Sequence, residues 1–130
     1  MKFKSFFTAV IFITITALTL TACSSSAAPE DAVADYLSAL VAKDASSLSA
    51  LSCADWESSA LLELDSFQAV EVRLEDLACT AAGSEGETSF VQCQGKIIAT
   101  YNTENMEINL ADKVYKVVEQ NGDYLVCGYK

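Results

Sequence analysis

Residues 88–110, TSFVQCQGKIIATYNTENMEINL, decide the fold. Apolar side chains alternate with polar ones on both sides of the NTEN segment, a pattern typical of strands that bury one face. NTEN itself predicts a turn. If Tyr101 pairs with Met106 across this turn, Ala99 lies opposite Ile108 and the apolar side chains of both strands share one face. The stretch therefore predicts two long antiparallel strands that are neighbours in a sheet.

The preceding segment predicts a further strand that contains an irregularity. In VEVRLEDLAC, residues 70–79, the first apolar positions alternate regularly, but Leu77 and Cys79 have the opposite parity. One extra residue near Glu75 and Asp76 reconciles the two halves, which is what a β-bulge does. The glycine-rich segment GSEG, residues 83–86, then predicts the turn into the next strand.

The segment that follows predicts a closing hairpin. Residues 114–119 and 124–129 are rich in valine, leucine and tyrosine and flank Asn121-Gly122. Asn-Gly between two apolar runs is a strong signal for a two-residue hairpin turn. The sheet is therefore predicted to be an antiparallel meander.

Residues before the sheet have helical rather than alternating spacing. Pro29, followed by two acidic residues, predicts the start of a helix that continues to Ala42. Asp44 or Ser46 is expected to cap a second, short helix. A third helix is predicted over residues 54–64. Helices first and a meander afterwards predict an α+β fold in which N-terminal helices pack on one face of a curved antiparallel sheet.

This order of elements, together with the closing run YKVVEQNGDYLVC at residues 115–127, resembles the nuclear transport factor 2-like (cystatin-like) superfamily. The resemblance covers residues 30–130 and implies a cone in which helices close one side of the curved sheet. Some enzymes of that superfamily use an aspartate and a histidine inside the cone. This chain contains no histidine, which argues against the same activity here.

Residues 1–22 have the pattern of a secretory signal. MKFK is basic, and the uncharged, mostly apolar residues 5–20 are too few for a comfortable membrane span of about 20 residues. The run ends in LTAC, which resembles the lipobox of bacterial lipoproteins. The resemblance implies cleavage between Ala22 and Cys23 and a diacylglycerol thioether, with palmitate-type acyl chains, on Cys23. Residues 23–29 are then a lipidated cysteine and a short Ser/Ala tether.

This leader predicts an exported protein that is anchored by lipid to the outer side of the cell membrane, or to the outer membrane of a Gram-negative cell. Without Lys2 and Lys4 the chain keeps six basic residues against 18 acidic ones, a formal charge of −12. Such a surface repels phosphate backbones, so nucleic acid is not an expected partner. The expected partners are the membrane, through Cys23, and a small apolar ligand or an envelope protein.

The four remaining cysteines, an even number in an exported domain, predict two disulfides. Three pairings are possible. The predicted strand register places Cys79 opposite Cys93, at a separation that a disulfide can bridge. Cys53–Cys127 follows by elimination. No histidine and no Cys-x-x-Cys motif is present, so neither a metal site nor a cofactor is predicted.

Catalytic motifs are missing from the sequence: it has neither a glycine-rich phosphate loop nor a Gly-x-Ser-x-Gly elbow. Acidic residues such as Glu63 and Asp65 are expected on a solvated helix face. Five aromatic residues either line a concave pocket or fill the cone as core; they are Tyr36, Trp56, Phe67, Tyr101 and Tyr115. The sequence therefore predicts no catalytic residue and favours a non-catalytic domain that binds a ligand or a partner. The alternative is a small cyclase- or isomerase-type enzyme that uses a buried carboxylate.

Overall fold

The computed structural model describes residues 28–130. The predicted signal peptide, the cleavage site at Ala22 and Cys23, and nearly all of the tether lie outside the described residues. Three helices precede a five-stranded antiparallel sheet, as the sequence predicts. The helices are α1 (Pro29–Ala42), α2 (Ala45–Ala50) and α3 (Ala54–Ser66). The strands are β1 (Glu71–Glu85), β2 (Thr88–Tyr101), β3 (Glu104–Asn109), β4 (Val114–Gln120) and β5 (Asp123–Tyr129).

The helix ends follow from local chemistry. Glu30 and Asp31 lie in the first turn of α1, where the helix dipole favours negative charge. Lys43 ends α1 in a left-handed conformation, with φ of 58°. Asp44 caps α2 because its carboxylate accepts a hydrogen bond from the backbone N–H of Ser47 at 3.1 Å. The third helix continues past the predicted end to Ser66.

Strand β2 is the centre of the sheet. It pairs with β1 along one edge, and on the other edge its first half pairs with β4 and its second half with β3. A short 3₁₀ helix, Leu110–Asp112, takes the chain from β3 to β4. The sheet curves around α1, and the core lies between this helix and the concave face. The largest fully buried core side chains include Tyr36, Leu37, Leu40, Val91, Leu110, Tyr115, Val117 and Val126.

The predicted register between β2 and β3 is wrong by two residues. Tyr101 pairs with Glu104 rather than with Met106, so Ala99 faces Met106 and Ile97 faces Ile108. The turn is tighter than the NTEN segment suggested, because Asn102 adopts a left-handed conformation with φ of 57°. A shift of two residues keeps every side chain on its own face, so the apolar pattern did not distinguish the two registers. Leu110, expected in the strand, is buried in the 3₁₀ helix.

The predicted bulge in β1 is confirmed. The pairing with β2 shifts between Glu75 and Ala78, and Asp76 has a positive φ of 54°. The opposing strand accommodates the extra residue at Gly95, whose φ is 99°. A Cβ atom on Gly95 would lie 2.6 Å from the backbone oxygen of Asp76, closer than two such atoms can approach. The bulge therefore requires glycine at this position.

Both predicted cysteine pairs lie at disulfide distance. Cys79 and Cys93 face each other across β1 and β2 with Cα atoms 4.0 Å apart. Cys53 and Cys127 have Cα atoms 5.0 Å apart and link the start of α3 to β5.

The free edge of β5 is partly covered by the α2–α3 connection. The backbone N–H of Val126 donates to the carbonyl of Leu51 at 2.8 Å, and the N–H of Cys53 donates to the carbonyl of Val126 at 2.9 Å. Such cover protects an edge strand from pairing with another chain. No helix within residues 28–130 combines the length and the hydropathy needed to cross a membrane.

The bulge predicts unequal costs for two glycine substitutions. Gly95→Ala is expected to lower the free energy of unfolding by about 3 kcal/mol or more, because a left-handed backbone and a backbone clash act together. Gly86→Ala is the control: Gly86 also has a positive φ, of 59°, but nothing lies within 4 Å of its Cβ position, so it is expected to cost about 1 kcal/mol. Urea unfolding followed by Trp56 fluorescence measures both. Equal losses would contradict this account of the bulge.

Candidate functional site

One cluster of aromatic and charged side chains joins the helices to the last two strands. Tyr36 comes from α1, and Trp56 and Glu63 come from α3. Lys113 lies between the 3₁₀ helix and β4, Tyr115 lies in β4, and Tyr129 ends β5. We call these six residues the aromatic–ionic cluster.

The aromatic members are packed edge to face. The indole N–H of Trp56 donates a hydrogen bond to the hydroxyl of Tyr36 at 3.1 Å. Ring centroids lie 6.4 Å apart for Tyr36 and Tyr115, 5.6 Å for Tyr115 and Tyr129, and 5.4 Å for Trp56 and Tyr129. Tyr36 and Tyr115 are 0% and 1% exposed, so they occupy the interior of the cone as core side chains.

Gly128 makes room for the indole ring. The pairing of β4 with β5 shifts between Tyr115 and Val117, and Gly128 lies in this irregular part of β5 with φ of 124°. A Cβ atom there would lie 3.3 Å from Cε3 of Trp56. The bulge in β5 thus brings the backbone against Trp56 and places Tyr129 beside it.

The charged members form a half-buried ion pair. The ammonium of Lys113 lies 3.1 Å from Oε1 of Glu63, and the two side chains are only 23% and 20% exposed. The same ammonium lies 3.9 Å from the ring centroid of Tyr129, a cation–π contact. The expectation that Glu63 lies on a solvated helix face is therefore wrong, whereas Asp65 is exposed as expected.

Protonation in the cluster follows from burial and charge. Burial raises the pKa values of Tyr36 and Tyr115 far above the ordinary tyrosine value, and the nearby Glu63 carboxylate raises both further. Burial alone lowers the pKa of Lys113, but the contacts of its ammonium with Glu63 and Tyr129 together outweigh burial and raise that pKa overall. At neutral pH the buried phenols of Tyr36 and Tyr115 are therefore neutral, and the ammonium of Lys113 is charged.

This arrangement limits the chemistry of the cluster. The carboxylate is paired with Lys113, and the chain has no histidine to act as acid or base near neutral pH. In residues 28–130 no three histidine, cysteine or acidic side chains are grouped as a metal would require. The role that these contacts show is structural, because they connect α1, α3, β4 and β5.

The five aromatic residues predicted as pocket or core divide into two groups. Tyr36, Trp56 and Tyr115 belong to the cluster, and Phe67 is a buried core residue at 5% exposure. Tyr101 lies at the end of β2, 43% exposed and away from the others. The prediction missed Tyr129, Glu63 and Lys113. The alternation of the last strand could have suggested Tyr129, but Glu63 and Lys113 lie 50 residues apart and no sequence pattern connects them.

Surface depressions occur elsewhere in the described chain. A groove of about 510 Å³ runs between α1 and α2. Smaller depressions lie beside the bulge at Asp76, beside Lys43, and between the turns that carry Glu87 and Asn121. None of these four depressions is lined by a member of the aromatic–ionic cluster.

Comparison with known proteins gives similarity in structure only. No family model matches the chain, and no curated protein matches it in sequence. A SEC-C motif containing protein from Rhodopseudomonas palustris aligns with a TM-score of 0.56 at 11% identity, over 82% of this chain and 80% of that one. An NTF2-like family protein from Streptomyces avermitilis, described as a candidate dehydratase, aligns with a TM-score of 0.51 at 14% identity, over 75% and 87% of the two chains.

A third solved structure, an NTF2-like protein with a cystatin-like fold from Novosphingobium aromaticivorans, aligns with a TM-score of 0.52 at 14% identity, over 77% of this chain and 75% of that one. NTF2 stands for nuclear transport factor 2. The fold is NTF2-like. At this level of identity the similarity establishes the architecture and carries no activity over to this chain.

The buried tyrosines predict a loss of stability at alkaline pH. Because the pKa values of Tyr36 and Tyr115 are raised in the folded state, their contribution is complete below pH about 10 and decreases above it, by at most about 1.4 kcal/mol per pH unit for each tyrosine. Lys113 acts in the same direction, since its pKa is also raised. Urea unfolding between pH about 9 and about 11 measures the slope. A slope that is unchanged in Tyr36→Phe and Tyr115→Phe would contradict the assignment.

The ion pair predicts strong coupling between two substitutions. Glu63→Gln and Lys113→Met are each expected to lower the free energy of unfolding by about 1–3 kcal/mol, because each leaves a half-buried charge without its partner. The double variant is expected to lose less than the sum, as a double-mutant cycle would report. Arg73→Met is the control: it removes an exposed ion pair with Glu75 and is expected to cost about 0–1 kcal/mol. Additive losses for Glu63 and Lys113 would mean that the pair is not coupled.

Proposed function

We propose that this chain is an exported lipoprotein whose NTF2-like domain binds a partner protein of the cell envelope and does not catalyse a reaction. The observation that carries the non-catalytic part is the filled cone: Tyr36 and Tyr115 are 0% and 1% exposed and occupy the space in which a substrate would lie. A ligand site needs a concave, accessible space with a few polar groups. Here the protein's own side chains fill the interior of the cone.

Lipid anchoring is supported by the lipobox-like LTAC and by its distance from the domain. Helix α1 begins at Pro29, six residues after Cys23. Six extended residues span at most about 20 Å. The acylated cysteine would thus hold the domain close to the membrane surface, and two or three acyl chains on it would make that attachment stable.

Export is further supported by the cysteines. The two cysteine pairs at bonding distance account for all four cysteines of residues 28–130. Disulfides persist in oxidising compartments and are uncommon in the bacterial cytosol. Together with the leader, they favour a location outside the cytoplasmic membrane.

An envelope protein is favoured as the partner by charge and by the surface. The proposed mature chain carries a formal charge of −12, which disfavours nucleic acids and other polyanions. The interior of the cone, which the sequence suggested as a site for a small apolar ligand, is filled by Tyr36 and Tyr115. A protein that contributes neutral or positively charged groups fits the exposed surface better.

One observation favours a second candidate, a small enzyme of the cyclase or isomerase type. Glu63 is a largely buried carboxylate close to the Tyr36 hydroxyl, the kind of group that such an enzyme would use as a base. Native mass spectrometry of the full chain tests this candidate. A copurified small molecule that is present in the unmodified chain and absent from Glu63→Gln would support the enzyme and contradict the partner-binding proposal.

Anchoring predicts a specific modification. When the full chain is expressed in bacteria, intact-mass analysis is expected to show cleavage before Cys23 and the added mass of a diacylglyceryl group and its acyl chains. Cys23→Ser is expected to remove the added mass and to release the protein from the membrane fraction. Cys53→Ser is the control, because it removes a cysteine that is not in the lipobox. An unacylated mature chain, or one that keeps residues 1–22, would overturn the proposal.

A further inference from the structure

The two predicted disulfides lie in different kinds of structure. Cys79–Cys93 joins two directly paired residues of the β1–β2 ladder, and both of its cysteines pack with the core. Cys53 lies in the connection before α3, and Cys127 lies where the pairing of β4 with β5 is irregular. The Cys53–Cys127 disulfide therefore joins two backbone segments outside the regular ladder, where local motion meets fewer constraints.

The two sulfur atoms of Cys53–Cys127 have different surroundings. Cys127 is partly exposed, whereas Cys53 is only 6% exposed. The side-chain amide of Gln120 donates a hydrogen bond to Sγ of Cys53 over 3.9 Å. A hydrogen bond of this kind favours the charged form of its acceptor. Thiol–disulfide exchange is fastest when the attacked sulfur is accessible and the departing sulfur carries negative charge well, so Cys127 suits the first role and Cys53 the second.

We propose that the Cys53–Cys127 disulfide is a thiol–disulfide exchange site for a dithiol protein of the envelope, with Cys127 as the attacked residue and Cys53 as the leaving thiolate. This inference goes beyond partner binding, but it rests on the proposed export of the chain, because such a dithiol protein would be met outside the cytoplasm. Cys79–Cys93 takes no part in the exchange, since Cys93 is 0% exposed and the ladder holds it on both sides.

The exchange balances in two steps. In the first, a thiolate of the dithiol forms a bond to Sγ of Cys127, the bond between Cys127 and Cys53 breaks, and its electron pair leaves with Cys53. In the second, the other thiolate of the dithiol attacks the dithiol's own sulfur in the mixed disulfide, and the electron pair leaves with Cys127. Both cysteines then take up the protons that the dithiol has released. The dithiol is thereby oxidised to a disulfide, and the Cys53–Cys127 pair is reduced by two electrons.

Reduction weakens the cover of the β5 edge. The connection between α2 and α3 contacts this edge through two backbone hydrogen bonds of Val126, one with the carbonyl of Leu51 and one with the N–H of Cys53. Without the disulfide these hydrogen bonds lose the covalent link beside them and open more often. An open strand edge can pair with a strand of another chain. The exchange site thus controls access to the β5 edge.

The test compares the two disulfides in the purified, oxidised full chain in zwitterionic detergent micelles. The probes are neutral thiols, so that the charge of the chain does not affect them: 2-mercaptoethanol forms the mixed disulfide, and dithiothreitol completes the reduction. N-ethylmaleimide stops each reaction by alkylating free thiols, and peptide mass mapping identifies which group each cysteine carries. We expect Cys53–Cys127 to be reduced at least about tenfold faster than Cys79–Cys93, with mercaptoethanol on Cys127 and maleimide on Cys53.

Two glutamine variants test the hydrogen bond to the leaving sulfur. Gln120→Leu removes the donor to Sγ of Cys53 and is expected to slow the reduction of Cys53–Cys127 about threefold. Gln94→Leu is the matched control, because Gln94 is an exposed residue of β2 next to Cys93. It is expected to change the reduction rate of either disulfide by less than about twofold.

A double variant, Cys53→Ser with Cys127→Ser, represents the permanently reduced form. It is expected to keep α3, since serine is a favoured residue at the N-cap position that Cys53 occupies. Amide hydrogen exchange is expected to become about tenfold faster or more at residue 53 and Val126, and to change by less than about twofold in the β1–β2 ladder.

Three results would overturn the exchange site: reduction of Cys79–Cys93 at an equal or higher rate, the mercaptoethanol adduct on Cys53, or equal effects of the two glutamine variants. Hydrogen exchange that rises equally at all amides of the double variant, or at none, would overturn the control of the β5 edge. Failure of the proposed function is distinguishable, because intact mass reports cleavage and lipidation at Cys23 independently of the disulfides. A lipidated chain whose two disulfides react alike would retain the proposed function and lose this inference.

Discussion

The hydrogen bonding of β2 on both of its edges is the constraint on which the rest of this structure depends. Because β1 occupies one edge over nearly the whole strand, the other edge must serve two shorter strands in succession, β4 and then β3. The chain between them turns through Leu110–Asp112, and the buried Leu110 fixes this turn to the core. A sheet divided in this way curves, and its concave face receives α1. The Cys79–Cys93 pair, the bulge at Asp76 and the glycine opposite it all belong to the β1–β2 ladder.

The aromatic–ionic cluster fills the space on the concave side of the curved sheet. Two phenol rings occupy the interior, and their polar ends are accommodated by Trp56 and by the Glu63–Lys113 pair rather than by solvent. A half-buried ion pair adds little net stability, because desolvation offsets most of its attraction. Its more definite effect is positional: a wrongly packed α3 would leave Glu63 unpaired. The pair therefore favours one placement of α3 over β4, which hydrophobic contacts alone specify less sharply.

Structural features could be predicted from the sequence where they depend on neighbouring residues or on a regular spacing of apolar side chains. The ends of α1, the cap of α2, the bulge near Asp76 and the Cys79–Cys93 pairing all follow from short-range spacing. The β2–β3 register was not predictable, because a two-residue slip preserves which face each side chain occupies. Tyr101 was misplaced for a different reason: it has the parity of the buried Ile97 and Ala99, but it is the last residue of β2 and is 43% exposed. The Glu63–Lys113 pair depends on how α3 crosses the sheet, which no local pattern encodes.

The distribution of charge follows from how few basic residues the chain has. Of the six in residues 28–130, five make specific contacts: Lys43 with backbone carbonyls, Arg73 and Lys96 with carboxylates on the sheet, Lys113 with Glu63, and Lys130 with the ring of Phe90. Positive charge is thus used mainly to fix the sheet and α3. Lys43, at the end of α1, is likewise directed to the carbonyls just before β1. If Cys23 is acylated as proposed, α1 is also the element next to the tether, so the domain is attached to the membrane through the start of this helix.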